Sequence, residues 1–147
     1  MIYYIADMHF GHKNVLRFDN RPFADTELMD EVLIPNWNER VTDEDTVYVH
    51  KHLIRGNHDR VHGRLRFHWE SIEQYAEIND GNTLVIMSHY PIMFYKNQHY
   101  GSVMLYGHVH NTREWQLVEK WKHEQWDMGI PSRLINVGCM MDYMRYT

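Results

Sequence analysis

Cysteine is almost absent. The 147-residue chain carries one, Cys139, so it has no internal disulfide to form and reads as a protein of a reducing compartment, the cytoplasm. No apolar run approaches the ~20 residues that cross a bilayer, and Met1 to Ala6 has no basic region followed by a long apolar stretch. Neither a spanning helix nor a secretory leader is therefore expected. Positive charge is also in short supply: 15 Lys and Arg against 20 Asp and Glu leave a net charge of -5. That balance argues against a membrane surface or a nucleic acid as partner, since both want a basic face, and leaves room only for a local basic groove. Glycine (8) and proline (4) are sparse. With no linker, repeat or low-complexity tract, residues 1–147 read as a single domain.

What the chain has in excess is histidine, twelve in all. Neutral imidazole is the commonest metal ligand and a frequent acid or base near neutral pH. Position decides whether these rings are scattered solvated groups or a site. Short apolar runs with strand character occur at Ile2 to Ala6, Thr46 to Val49, His52 to Ile54, Thr83 to Met87, Ser102 to Tyr106 and Arg133 to Val137. Helical spacing occurs at Asp25 to Arg40, where Pro35 is expected to kink or end the helix, at Arg113 to Trp126, and more weakly at Arg64 to Ile72. Strands alternating with helices predict an α/β protein with layers and a largely parallel inner sheet.

The residues after these strands carry the chemistry. Asp7 and His9 follow the first, and two residues apart on an extended chain they face one side. Asn57, His58 and Asp59 follow the strand ending at Ile54. His89 follows Thr83 to Met87, and His108 and His110 follow Ser102 to Tyr106. Sites in open α/β sheets form beyond the carboxyl ends of the strands, so these groups are expected to converge on one sheet edge.

The ordered set Asp7-x-His9, Gly56-Asn57-His58-Asp59, a strand ending in His89, and Gly107-His108-x-His110 resembles the calcineurin-like metallophosphoesterases. The opening Ile5 to Asn14 is similar to small bacterial and phage members. Asn136-Val137-Gly138 resembles the strand that follows. The resemblance implies a layered β-sandwich flanked by helices, with the metal site at the carboxyl ends of the strands. It implies hydrolysis of a phosphomonoester or phosphodiester by a hydroxide bridging two divalent transition-metal ions, Mn, Fe, Ni, Co or Zn, with Mn favoured. Asp7, His9 and His110 would hold the first ion, and Asn57, His89 and His108 the second. His58 would protonate the leaving oxygen and Asp59 would orient it. His12, Asn14, Arg17 and Arg21 could contact the phosphate of a small substrate; the competing reading, which comes first for single residues, is a loop role for His12 and Asn14 and a surface or salt-bridge role for Arg17 and Arg21.

One part of the pattern is missing. Family members carry a Gly-Asp between the first two motifs, and that Asp bridges both metals. Here Val47-Tyr48-Val49-His50 runs directly into Lys51-His52-Leu53-Ile54-Arg55. Parallel strands cannot be joined by a tight turn, because the chain must return to the starting edge. The spacing therefore predicts that a crossover of roughly 15–30 residues, opening on something close to Gly-Asp, is absent between Val49 and Lys51. If the deletion is genuine, the alternative is a degenerate, non-catalytic metal-binding relative acting as a protein-interaction module.

Overall fold

The computed structural model describes residues 2–48, 52–54 and 71–141. The protein is a mixed α/β molecule built around a four-stranded sheet. Strand β1 (Ile2–Tyr4) is followed by the short helix α1 (Lys13–Phe18), the long helix α2 (Thr26–Arg40) and β2 (Thr46–Tyr48). Then come β3 (His52–Ile54), β4 (Ser71–Glu73), β5 (Tyr75–Asp80), β6 (Thr83–Ser88), β7 (Val103–Tyr106), α3 (Arg113–Asp127) and β8 (Leu134–Asn136). No helix among the described residues is long and apolar enough to cross a membrane.

The main sheet runs in the order β5-β6-β7-β8. Strands β6, β7 and β8 are parallel neighbours, while β5 is antiparallel to β6, so the sheet is largely parallel with one antiparallel edge strand. The β5–β6 hairpin turns through Gly81-Asn82, with Asp80 paired to Thr83 and Gly81 at φ 56. A two-residue hairpin loop needs left-handed backbone there, which glycine adopts without steric cost. Strand β1 pairs in parallel with β2, and β3 with β4. Beyond β1 the chain meets the segment after β8 through a parallel bridge between Ala6 and Gly138, with Ala6 N donating to Val137 O at 2.8 Å and Cys139 N to Ala6 O at 2.8 Å. Through that bridge, loops at the ends of β1, β6 and β7 reach a common edge.

Strands β6 and β7 are buried on both faces, as their unbroken apolar runs require. On one face Ile86, Met104, Tyr106 and Leu134 pack with Val118 and Trp115 of α3. On the other, Val85, Met87 and Leu105 meet Tyr4 and Ala76. A third cluster joins Met8, Val15, Met29, Leu33 and Cys139, and seats α1 and α2 against the loop after β1.

Helix α2 runs through Pro35 to Arg40 instead of ending at it. Asp25 caps its start, accepting from Leu28 N at 2.8 Å. Met29 and Leu33 are wholly buried. Each such side chain contributes roughly 1.5–3 kcal/mol, enough together to offset an interior proline at about 3 kcal/mol. Of the weak helix expected at Arg64 to Ile72, Ser71 and Ile72 lie in β4, where pairing with β3 outweighs a marginal local preference; residues 64–70 lie outside the described residues. Strand β5 has no counterpart among the expected strands; its residues alternate in exposure ahead of the Gly81-Asn82 turn. Strands β2 and β3, expected as parallel neighbours, belong to separate two-stranded sheets. The step between Val49 and Lys51 lies outside the described residues.

Candidate metal centre

Strand β1 ends at Tyr4, so Asp7 and His9 are not on an extended chain. Both adopt left-handed backbone, at φ 55 and 53, and His108 and His110 repeat the pattern at φ 62 and 50. Positive φ costs a non-glycine residue of order 1–3 kcal/mol and persists where the surroundings hold it; Asp and His tolerate it better than most. The common facing of each pair thus comes from two left-handed residues flanking one ordinary residue, and not from strand alternation.

Hydrogen bonds hold these loops. Arg21 Nη2 donates to Asp7 O at 2.8 Å and Arg21 Nη1 to Met8 O at 3.0 Å. Cys139 Sγ lies 3.2 Å from Asp7 O as donor. His12 N donates to His9 O at 3.1 Å. In the second loop, Asn136 Nδ2 donates to His110 O at 2.8 Å, and Thr112 Oγ1 to Val109 O at 2.7 Å. The loops are stitched together by His108 N, which donates to Asp7 Oδ2 at 3.0 Å. Gly107 permits this approach: a Cβ there would stand 2.5 Å from Asp7 Oδ2 and 2.8 Å from Ala6 Cβ.

The result is a triad of Asp7, His9 and His110, whose ligand atoms all lie within 4.8 Å of one another. Asp7 Oδ1 is 3.7 Å from His110 Nε2. Donors about 2.0–2.2 Å from one ion stand roughly 3–4 Å apart; the Asp7–His110 pair has that spacing, and the three residues together could hold one divalent ion. Burial pushes the His9 imidazole down to about 4, against the opposing pull of Asp7, and so keeps the ring neutral at neutral pH. Beside the triad, His89 Nε2 and His108 Nδ1 are 3.1 Å apart, a separation that suits two ligands of one ion as well as a hydrogen bond. The triad, this pair, His12 and Phe18 line one pocket. The Tyr90 ring lies beside this pair, with its centroid 4.3 Å from that of His108.

The structure thus brings together Asp7, His9, His89, His108 and His110, with His12 at the pocket wall. Asn57, His58 and Asp59 lie outside the described residues. Asn14 and Arg17 are exposed and do not line the pocket; the Arg17 guanidinium sits 5.9 Å from the centroid of the Phe18 ring. Of its two readings, phosphate clamp and salt-bridge residue, Arg21 takes the second in the structure. Its side chain is wholly buried and its Nε donates to Asp19 Oδ2 at 3.0 Å, so it points into the protein. Asp19 is the site residue that the sequence pattern missed. Its Oδ1 meets His110 Nδ1 in a short contact across 91 positions of chain, a pairing that no local spacing reveals. Burial pushes the Asp19 carboxyl up, but His110 and Arg21 outweigh it and hold the group below the usual carboxylate range.

No family model matches the chain. It is similar to an uncharacterized protein, MJ1445, of Methanocaldococcus jannaschii: 36% identical over 88 residues, covering 44% of this chain and 50% of that protein. The chain thus spans about half the length of this relative. Since 44% of this chain is fewer than 88 residues, the relative carries positions inside the matched stretch that have no counterpart here. Among solved structures, the crystal structure of a protein of unknown function, AQ665 from Aquifex aeolicus, superposes with a TM-score of 0.71 at 19% identity, over 99% of this chain and 93% of that one. The likeness is one of fold.

Proposed function

We propose that the protein is a metal-dependent phosphoesterase of the calcineurin-like metallophosphoesterase type, a layered β-sandwich enzyme that hydrolyses a small phosphorylated substrate in the cytoplasm. The observation that carries this reading is the convergence of Asp7, His9 and His110 from two loops remote in sequence, with the His89–His108 pair alongside. Asp7, His9 and His110 would hold one divalent ion, and His89 and His108, with Asn57, a second; Mn is favoured. Such ions neutralise phosphate charge and lower the pKa of water, the chemistry that phosphoester hydrolysis needs. The chain's own groups do the rest. His108 N fixes one Asp7 oxygen by hydrogen bond and leaves the other facing His110. His58 would deliver a proton to the leaving oxygen, with Asp59 holding its imidazole in the donor tautomer.

A second reading has its own observation. No Gly-Asp precedes β3, and three residues separate β2 from β3. A chain built so would be a degenerate relative that binds metal without turnover and serves as an interaction module. A crossover present in the relative and absent here would produce a matched stretch longer than this chain's share of it.

The test is metal analysis of the purified protein together with hydrolysis of a nitrophenyl phosphate and its diester with added Mn. Bound metal with turnover is the expected result. Bound metal without turnover moves the conclusion to the second reading, and no metal at micromolar free ion overturns both.

A further inference from the structure

We propose that Asp19 and Arg21 are positioning residues for the triad: Asp19 sets the tautomer and ring orientation of His110, and Arg21 ties Asp19 to the loop that carries Asp7 and His9. The inference rests on the reading of Asp7, His9 and His110 as metal ligands, and assigns work to two residues that the pocket does not expose.

The geometry is directional. A carboxylate in this setting accepts, so the His110 Nδ1 that meets Asp19 Oδ1 carries the hydrogen. The neutral ring then has its lone pair on Nε2, the nitrogen that faces Asp7 Oδ1 at 3.7 Å. Without a fixed acceptor at Nδ1 the ring can exchange tautomers or turn over, and either change removes the lone pair from the triad. A histidine ligand whose second nitrogen is held by a carboxylate is both oriented and made more basic.

Arg21 extends the hold. Its Nε takes the other Asp19 oxygen at 3.0 Å, while Nη2 and Nη1 reach the carbonyls of Asp7 and Met8 at 2.8 and 3.0 Å. One rigid guanidinium plane therefore fixes the carboxylate that aligns His110 and the left-handed turn that aligns Asp7 and His9. The loop of residues 7–9 and the loop of residues 108–110 lie 101 positions apart in the chain, measured from Asp7 to His108. The Asp19–Arg21 pair, buried at the end of α1, spans both. A lysine in place of Arg21 cannot reproduce three divergent donors.

The experiment pairs nitrogen-resolved imidazole NMR on metal-free protein with Mn²⁺ titration, on the unsubstituted protein, Asp19→Asn and Arg21→Lys. The expected result is an Nδ1–H tautomer for His110 in the unsubstituted protein, lost or mixed in Asp19→Asn. The affinity of the triad for Mn²⁺ should fall about 10- to 100-fold in that variant, and by less in Arg21→Lys. An Nε2–H tautomer in the unsubstituted protein overturns the proposal and needs no variant to fold. Asp19→Asn with the tautomer and the Mn²⁺ affinity both unchanged also overturns it. If the protein takes no metal but the tautomer follows Asp19, the hold on His110 stands and the phosphoesterase reading falls alone.

Discussion

Replacing Gly107 by alanine tests the placement of Asp7 directly. Gly107 does not have positive φ, so alanine meets no backbone penalty there and the whole effect is steric. Its Cβ would stand 2.5 Å from Asp7 Oδ2, 2.8 Å from Ala6 Cβ and 3.3 Å from Asp7 Cγ. Ala6 cannot yield, because its backbone is held on both sides by the bridge to Gly138. Asp7 must therefore rotate away and give up the bond from His108 N at 3.0 Å. Overpacking costs about 1–3 kcal/mol, and a lost hydrogen bond to a charged group about 1.5–3 kcal/mol. A combined loss of about 3–5 kcal/mol lowers Tm by roughly 10 °C or more in a chain of this size. On the proposed reading metal affinity should fall with it, since the displaced carboxylate belongs to the candidate triad. Gly129→Ala is the control: φ there is +75 with nothing within 4 Å of the added Cβ, so only the left-handed penalty of about 1–2 kcal/mol applies. Thermal denaturation and Mn²⁺ titration read both variants. A Gly107→Ala protein with the Tm and metal affinity of the parent would show that Asp7 does not sit against Gly107, and the triad would fail with it.

Three further outcomes follow from the same geometry. His110→Ala should remove mainly the ion proposed at Asp7 and His9, and His89→Ala mainly the second proposed ion, as read by metal stoichiometry; equal loss of both ions from either variant refutes the division. His58→Asn should cut turnover about 10²- to 10⁴-fold with metal content unchanged, and the loss should shrink for nitrophenolate, which needs little protonation to leave. Burial pushes the Cys139 thiol up to about 12 from 9. The native thiol should therefore resist alkylation at pH 8 until the protein unfolds, and because the folded value is the higher one, stability should be full below pH 9 and decline between 9 and 12.

Local pattern was sufficient for much of this protein. Helix α3 begins within the residues whose spacing predicts it, behind Thr112, whose hydroxyl accepts from Glu114 N. The run at Thr83 becomes a strand because β-branched residues suit a buried pleat, and the runs at Thr46 and His52 are strands as well. The order of Asp and His groups after successive strands is also a property of the sequence, and it nominated every member of the triad. Tertiary structure decided what these residues do. Asp7 and His9 face one way because Arg21, Cys139 and His108 hold a left-handed turn that an extended strand would not make. Asp19 joins the site because α1 ends beside His110, 91 positions away. Arg21 turns inward because its donors find carbonyls and a carboxylate that only the folded loops assemble. Spacing along a chain encodes which side chains share a face of one element; it carries no information on which loops meet, because those contacts are set by packing between elements far apart in sequence.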